Sequence, residues 1–144
     1  MQRKPCAWWW LATAAIAAWL LWMTLRPQAQ AQADLAYLTT PAASQGISIP
    51  FLIDTLGNIV VFVPLGTAAF FALRCGTSSG GRAYQAVAFA LLIGAGLSAG
   101  IELTQSTLPS RVATLKDWLL NTAGTLIGIL MGMGLTAYRI RPGK

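Results

Sequence analysis

The first long apolar segment of the chain spans residues 6–25 and reads CAWWWLATAAIAAWLLWMTL, without a single charged residue. Three further apolar segments follow it, at residues 53–73, 84–101 and 118–138. Each segment has about 18–21 residues, near the roughly 20 that a helix needs to cross the hydrocarbon layer of a membrane. Because a chain in lipid must satisfy its own backbone hydrogen bonds, we expect all of them to be helical. The sequence therefore predicts an all-α integral membrane bundle of four transmembrane helices.

The composition argues against several other classes of protein. Of the 144 residues, 56% are hydrophobic and 10% are charged, whereas a soluble domain has roughly 25% charged residues. The net charge of +6 could suggest a nucleic-acid partner, but the basic residues are not clustered into a binding patch. We therefore expect the lipid bilayer as the surroundings and no nucleic acid. A soluble enzyme and a disulfide-rich secreted domain are also disfavoured.

The apolar segments divide the chain into five parts. We predict a cytoplasmic amino terminus at 1–5, a first transmembrane helix at 6–25, an extracytoplasmic loop at 26–50, a three-helix membrane domain at 51–138 and a cytoplasmic basic tail at 139–144. The small-residue pattern Ala31-Gln32-Ala33 would also fit a cleaved signal peptide. However, the apolar run before it is longer than the about 7–15 residues of a typical signal core. We therefore favour a retained first helix.

The basic residues predict the orientation of the bundle. With both termini in the cytoplasm, seven basic residues lie on the cytoplasmic side and three on the outer side, in agreement with the positive-inside rule. The cytoplasmic seven are Arg3, Lys4, Arg74, Arg82, Arg139, Arg141 and Lys144. In this orientation Cys6 and Cys75 both face a reducing compartment, so we expect no structural disulfide.

All four acidic residues fall on the opposite, extracytoplasmic side, and three of them are each followed by a carboxamide at helical spacing. The pairs are Asp54 with Asn58, Glu102 with Gln105, and Asp117 with Asn121. Spacings of three and four residues place both members of a pair on one helix face. Polar groups that gather at one membrane depth suggest a functional site.

A purely structural interpretation of these acids is also open. Asp54 and Asp117 are expected in the first turn of a helix, where a carboxylate meets the positive end of the helix dipole. Glu102 is expected near a helix carboxyl end, where its charge opposes the dipole, so it needs a cationic partner. Arg111 is the first candidate for that partner and Lys116 the second. An ion pair would explain Glu102 and Arg111 without any chemistry, but it leaves the repeated acid-and-amide pattern unexplained.

Glycines at four-residue spacing indicate where helices approach closely. Gly124, Gly128 and Gly132 recur along the last apolar segment, and Gly96 and Gly100 recur along the third. Small residues at this spacing allow membrane helices to pack backbone against backbone. We therefore predict that these five glycines are helix-packing residues.

Two motifs carry a family resemblance that covers about residues 54–128. The later motif is E-x-x-Q, an arginine, and then D-x-x-x-N-x-x-G-x-x-x-G, formed by Glu102, Gln105, Pro109, Arg111, Asp117, Asn121, Gly124 and Gly128. The earlier motif comprises Asp54, Asn58, Phe62, Pro64, Leu65 and Gly66. The pattern resembles the VanZ-like family of small membrane proteins, named for a teicoplanin-resistance protein. Some members carry a His where this chain has Asn58, which cannot titrate.

The resemblance implies a location and a broad role. It implies a multi-pass protein of the bacterial inner membrane with a role in the cell envelope, and a link to reduced susceptibility to glycopeptides. It supplies no reaction. We therefore expect the outer polar cluster to bind or act on an envelope component, either lipid-linked or related to peptidoglycan.

The residues suggest how such a component would be held. Arg111 and Lys116 would bind a phosphate or carboxylate, while the three acids and the three amides would hydrogen-bond a sugar or an amine. In an enzymatic version Glu102 is the candidate acid or base, Asp117 its ionised partner, and Asp54 the third carboxylate of the hypothetical catalytic cluster.

Two further functions remain open at this point. Asp54, Glu102 and Asp117, with amide oxygens, have the chemistry of a Ca²⁺ or Mg²⁺ site; no other cofactor is expected, and zinc is disfavoured because the chain has no His. A holin-like pore former is less favoured because the inner halves of the helices carry few polar side chains. The sequence does not indicate the ligand, the oligomeric state or whether the protein is an enzyme.

Overall fold

Long apolar runs form the helices that the sequence predicts. The computed structural model describes residues 6–25, 49–75, 83–108 and 113–140. These ranges contain the helices α1 (Cys6–Leu25), α2 (Ile49–Arg74), α3 (Ala83–Ser106) and α4 (Leu115–Ile140), and no strand occurs within them. Each helix is long and apolar enough to cross a membrane. The prediction of an all-α bundle of four transmembrane helices is confirmed.

Helix α2 begins earlier than the apolar run alone suggests. It starts at Ile49, and Pro50 occupies its first turn, where the missing N–H of a proline costs no hydrogen bond. Asp54 consequently lies beyond the first turn, which contains no acidic residue. The expectation that Asp54 caps this helix is therefore wrong. Asp117, by contrast, does lie in the first turn of α4.

Helices α2 and α4 form the central pair of the bundle and run parallel to each other. A Cβ atom added to Gly124 would overlap the carbonyl oxygen of Ile59, and one added to Gly128 would overlap that of Val63. Because both contacts advance along the two helices in the same direction, the helix backbones touch over a full turn. The hydroxyl of Thr67 reinforces this contact by donating to the carbonyl oxygen of Gly128 at 2.9 Å.

Two glycines outside the five predicted packing residues also make close approaches, and both meet Thr125. A Cβ atom on Gly66 would overlap the Thr125 backbone, and one on Gly94 of α3 would overlap the Thr125 side chain. Thr125 is fully buried. This residue therefore joins α2, α3 and α4. Gly132 packs in a similar way against the ring of Phe70.

Gly96 and Gly100 lie on the exposed side of α3. A Cβ atom added to either of them would meet no atom within 4 Å in the described chain. The glycine that packs α3 within the bundle is Gly94, which the spacing does not select. A packing role for Gly96 and Gly100 stays a prediction.

Two clusters of buried side chains fill the bundle. One joins α2, α3 and α4 and consists of Ala69, Phe70, Ala86, Ala90 and Ile129. The other joins α1, α2 and α3 and consists of Leu20, Phe62, Leu65 and Ile101. Helix α1 is peripheral, because Trp8 and Trp22 on it are 71% and 66% exposed. Such large apolar surfaces are expected where a helix faces lipid.

Cys6 and Cys75 form a disulfide, so the expectation of two reduced thiols is wrong. The bond joins the start of α1 to the residue that follows α2, with the two Cα atoms 5.4 Å apart. The residues are 69 positions apart in the sequence, and they meet because α1 and α2 pack antiparallel. Structural disulfides are typical of oxidising compartments. The bond therefore favours an oxidising compartment at this end of the bundle, whereas the basic residues predict the cytoplasm there.

Candidate functional site

Polar groups from all four helices gather at one end of the bundle, which we call the polar end. It is the end at which α1 and α3 finish and α2 and α4 begin. Successive helices run in opposite directions, so the last turns of α1 and α3 lie beside the first turns of α2 and α4. The polar groups at these turns therefore meet. The disulfide lies at the opposite end.

The central link of the polar end joins α2 to α4. The side-chain amide of Asn58 donates to Oδ1 of Asp117 at 2.9 Å. Asp117 is held in place by its own backbone, because its N–H donates to the hydroxyl of Thr114 at 3.0 Å. Thr114 is therefore the N-cap residue of α4. In the common capping box, an acidic or amide side chain in the first turn bonds back to the cap N–H.

In this protein the N–H of the cap residue Thr114 is bonded by Glu102 of α3 and not by Asp117. The backbone N–H of Thr114 donates to Oε2 of Glu102 at 2.9 Å, so the end of α3 is linked to the start of α4. Since Glu102 takes this donor, Asp117 is available to bind Asn58. Glu102 and Asp117 lie close enough for their charges to interact.

Lys116 pairs with Asp54 and not with Glu102. Its Nζ lies 3.0 Å from Oδ2 of Asp54, and the two side chains are 43% and 55% exposed. The sequence had suggested Lys116 as a second partner of Glu102. The first suggested partner, Arg111, lies outside the described residues.

The three carboxamides bond across helices. Besides Asn58, Gln105 at the end of α3 donates to the carbonyl oxygen of Thr24 in α1 at 2.9 Å. Asn121 donates to the hydroxyl of Ser98 at 2.9 Å. The amide side chains thus connect neighbouring helices, and Gln105 and Asn121 bond to different helices from Glu102 and Asp117.

The three carboxylates face different neighbours. Asp54 meets Lys116, Glu102 meets the Thr114 backbone, and Asp117 meets Asn58. Among the described residues, no three His, Cys, Asp or Glu side chains are arranged to hold a metal ion. The geometry therefore gives no support to the alternative of a Ca²⁺ or Mg²⁺ site built from these three acids.

Two recesses open beside the polar end, on different sides of it. A groove of about 540 Å³ lies between the end of α3 and the start of α4, and Glu102 contributes to its wall. A smaller recess of about 190 Å³ lies between α1 and α2 and is lined by Asp54 and Asn58. Of the three acids predicted to form one cluster, Glu102 and Asp54 thus line different recesses and Asp117 lines neither.

Sequence reasoning missed several polar partners at this end. Ser98, Thr24 and Thr114 accept or donate the cross-helix hydrogen bonds, and the indole N–H of Trp118 donates to the carbonyl oxygen of Ala95 at 3.0 Å. Thr114 had a detectable signal, because a Thr three residues before an acid at a helix start is a capping pattern. Thr24 contributes only a backbone carbonyl, for which its side chain gives no signal.

The fold and the site define a class: a multi-pass α-helical membrane protein in which an acid-and-amide network joins the helices at one end. Its glycine seam and its network use residues from both motifs of the sequence.

The chain belongs to the VanZ/LLP1 family, whose sequence model matches residues 9–136. The match begins within α1, whereas the motifs cover about residues 54–128. Comparisons with curated proteins and with solved structures find no match.

Proposed function

We propose that this VanZ-like membrane protein binds an envelope component, lipid-linked or related to peptidoglycan, at its polar end. The observation that carries the proposal is the exposed ion pair of Lys116 and Asp54. It lies at the edge of a network in which Asn58, Asp117 and Glu102 are already hydrogen-bonded. The pair is therefore a charged part of the polar end that is open to an anionic ligand.

The energetics favour replacement of Asp54 by an anionic ligand. An exposed ion pair stabilises a protein by only about 0–1 kcal/mol, so a phosphate or carboxylate can take the place of Asp54 at Lys116 at little cost. The amino ends of α2 and α4 lie side by side, and their dipoles also favour an anion there. Arg111, two residues past the Pro109 of the motif, is the second candidate cation.

The remaining site residues are assigned supporting roles. Asp54, once released from Lys116, can accept hydrogen bonds from a sugar or an amine of the ligand. Asn58, Gln105 and Asn121 are proposed as positioning residues because their amides hold the helices together. The proposal concerns binding, and it assigns no reaction to Glu102 and Asp117.

The proposed site faces the extracytoplasmic side of a bacterial inner membrane. Support for this comes from the excess of basic residues on the other side of the bundle. The Cys6–Cys75 disulfide at that same side favours the reverse orientation, so the labelling experiment below decides between the two. A single cysteine at Ser44, in a chain whose own two cysteines are replaced by serine, should react with a membrane-impermeant thiol reagent in intact cells. Labelling only after permeabilisation would show that residue 44 faces the cytoplasm and would refute the proposed orientation.

A binding measurement with a defined probe tests the proposal. Farnesyl phosphate combines a phosphate with a short isoprenoid chain, and its affinity for the full-length protein can be measured by calorimetry in detergent. We expect Lys116→Gln to weaken binding about tenfold, since a hydrogen bond to a charged group contributes about 1.5–3 kcal/mol. Lys144→Gln, beyond the opposite end of α4, is the matched control. Equal affinities of the two variants would refute the role of Lys116.

The resistance link that the family name suggests is tested separately in cells. Expression of the protein should raise the concentration of teicoplanin needed to stop growth, and Lys116→Gln should remove the effect at equal membrane abundance. If the unmodified protein and Lys116→Gln protect equally, Lys116 has no part in any such resistance.

A further inference from the structure

We propose that the groove between α3 and α4 binds one bilayer phospholipid that has a primary ammonium headgroup. The groove has a volume of about 540 Å³ and opens at the side of two membrane-spanning helices. Most of its wall is apolar. Its lining residues are Ala99, Glu102, Leu103, Ser106, Ala113, Thr114, Leu115 and Trp118.

The apolar wall fits a lipid acyl chain. Leu103 and Leu115 are 72% and 71% exposed, so both present a large apolar surface beside the groove. The ring of Trp118 is held in a fixed place because its N–H donates to the Ala95 carbonyl oxygen in the neighbouring helix. Since the indole N–H is occupied, Trp118 presents mainly its apolar ring. An acyl chain in this groove would contact the exposed leucines and the fixed Trp118 ring without requiring them to rearrange.

The polar groups that line the groove already have hydrogen-bond partners within the protein. One of them, Glu102, is charged. The hydroxyl of Ser106 donates to the carbonyl oxygen of Leu103 at 2.7 Å, and the hydroxyl of Thr114 accepts from the backbone of Asp117. Glu102 is the one charged residue in the lining. Its Oε2 accepts the Thr114 N–H, and within the described ranges no basic side chain contacts it.

Charge complementarity selects the headgroup. A partly buried carboxylate at the edge of the hydrocarbon layer is costly unless a cation or several donors compensate for it. A primary ammonium supplies both a positive charge and three N–H donors. A quaternary ammonium has the charge without the donors, and a glycerol headgroup leaves the lipid with a net negative charge. We therefore commit to a phospholipid of the ethanolamine class.

This inference goes beyond the proposed function and does not depend on it. The groove lies on the α3 side of the start of α4, and neither Lys116 nor Asp54 lines it. A loss of farnesyl phosphate binding in Lys116→Gln would therefore leave the lipid groove intact. A loss of headgroup preference in Glu102→Gln is likewise measured independently of Lys116.

Native mass spectrometry of the full-length protein in detergent tests the groove. The protein is incubated with equal amounts of phosphatidylethanolamine, phosphatidylcholine and phosphatidylglycerol that carry identical acyl chains, and the retained lipids are counted. We expect one phosphatidylethanolamine per chain, with about a tenfold preference over phosphatidylglycerol, as a charge-assisted contact of about 1.4 kcal/mol would give.

Two variants separate the headgroup contact from the chain contact. Glu102→Gln can still accept the Thr114 N–H but lacks the charge, so it should retain the three lipids equally. Ala99→Phe should lower the retention of all three, because the added ring fills the groove. Ala88→Phe is the matched control: Ala88 is exposed on the same face of α3, three turns away, and it does not line the groove. This variant should behave like the unmodified protein.

Three results would overturn the proposal. The first is equal retention of phosphatidylethanolamine and phosphatidylglycerol by the unmodified protein. The second is a preference that survives Glu102→Gln. The third is a preference that appears only in Arg111→Gln, since Arg111 would then be the natural partner of Glu102. Gel filtration and helical content, measured for every variant, ensure that only folded protein is compared.

Discussion

Helices α2 and α4 touch through their backbones, whereas α1 is attached to the bundle by side chains, by a disulfide at its start and by a hydrogen bond near its end. In the α2–α4 seam, Gly124 and Gly128 lie against the carbonyl oxygens of Ile59 and Val63. Helix α1 is fastened by the Cys6–Cys75 disulfide at one end and, at the other, by the bond from Gln105 to its backbone.

The difference explains where the motifs fall. A backbone contact admits only glycine at the point of approach, and a buried polar link needs a specific partner, so the seam requires particular residues. Helix α1 is peripheral and packs against the bundle mainly through apolar side chains such as Leu20. Much of its surface faces outward, and its five tryptophans include some that are largely exposed.

The largest expected effect concerns the attachment of α1. A protease site introduced near Gln32 separates α1 from the rest of the chain when it is cut. Because the disulfide is the one covalent bond across the cut, the fragments should stay joined on a non-reducing gel and separate fully on a reducing gel. Cys75→Ser should release α1 under both conditions. Fragments that stay joined when thiols are blocked at lysis would contradict the proposed orientation, which places both cysteines in the cytoplasm. Fragments that separate without reductant would show that both cysteines are reduced in the cell, as that orientation requires.

The next largest effect concerns the seam. Gly128→Ala places a methyl group against the Val63 carbonyl oxygen, and we expect it to lower the free energy of unfolding by roughly 1–3 kcal/mol. The measurement is denaturation by sodium dodecyl sulfate in mixed micelles. Gly134→Ala is the control on the same helix, since an added Cβ there meets no atom within 4 Å in the described chain. It should leave stability unchanged or raise it, because alanine favours helix. Equal destabilisation by both variants would contradict the backbone contact.

A smaller effect is expected for the polar link between the same helices. A double-mutant cycle of Asn58→Ala and Asp117→Ala should give a coupling energy of about 0.6–2 kcal/mol, the range found for hydrogen bonds between membrane helices. The same unfolding assay supplies the four free energies. Strict additivity of the two substitutions would show that this bond does not stabilise the seam.

The smallest effect concerns Lys116 and Asp54, which join the same two helices at an exposed position. The coupling energy between Lys116→Ala and Asp54→Ala should lie in the range of about 0–1 kcal/mol and fall as salt is added. A coupling larger than that of Asn58 with Asp117 would mean that the exposed pair is a structural bond. It would also weaken the argument that an anion can replace Asp54.

The fold could be predicted from the sequence because a membrane restricts the choices. Charge-free runs near 20 residues leave helices as the available form, and glycines at four-residue spacing in α4 indicated a packing face. The spacing could not show which glycines of α3 approach a neighbour. Gly94 meets Thr125 while Gly96 and Gly100 face outward, since the rotation of a helix depends on its partners.

The site was predictable in its position and less so in its contacts. Alternating helix directions place Asp54, Glu102 and Asp117 at one end, and this follows from the order of the segments. Which side chain bonds to which depends on distances of a few ångströms that no spacing encodes. The bond from Asn58 to Asp117 spans 59 positions of sequence. The disulfide between Cys6 and Cys75 likewise depends on how α1 and α2 pack. A prediction based only on the reducing compartment does not take this packing into account.

The parallel direction of α2 and α4 has a consequence for the synthesis of the protein. Two parallel neighbours cannot be joined by a short turn, so the whole of α3 must cross the membrane between them. Asn58 therefore emerges from the ribosome 59 residues before its partner, an interval of roughly 3–12 s at about 5–20 residues per second. During this interval α2 carries an unpaired amide, and the carbonyl oxygens of Ile59 and Val63 lack the glycines that pack against them. The α2–α4 seam therefore cannot form before α4 has been synthesised, whereas the contacts of α2 with α1 and α3 can form earlier.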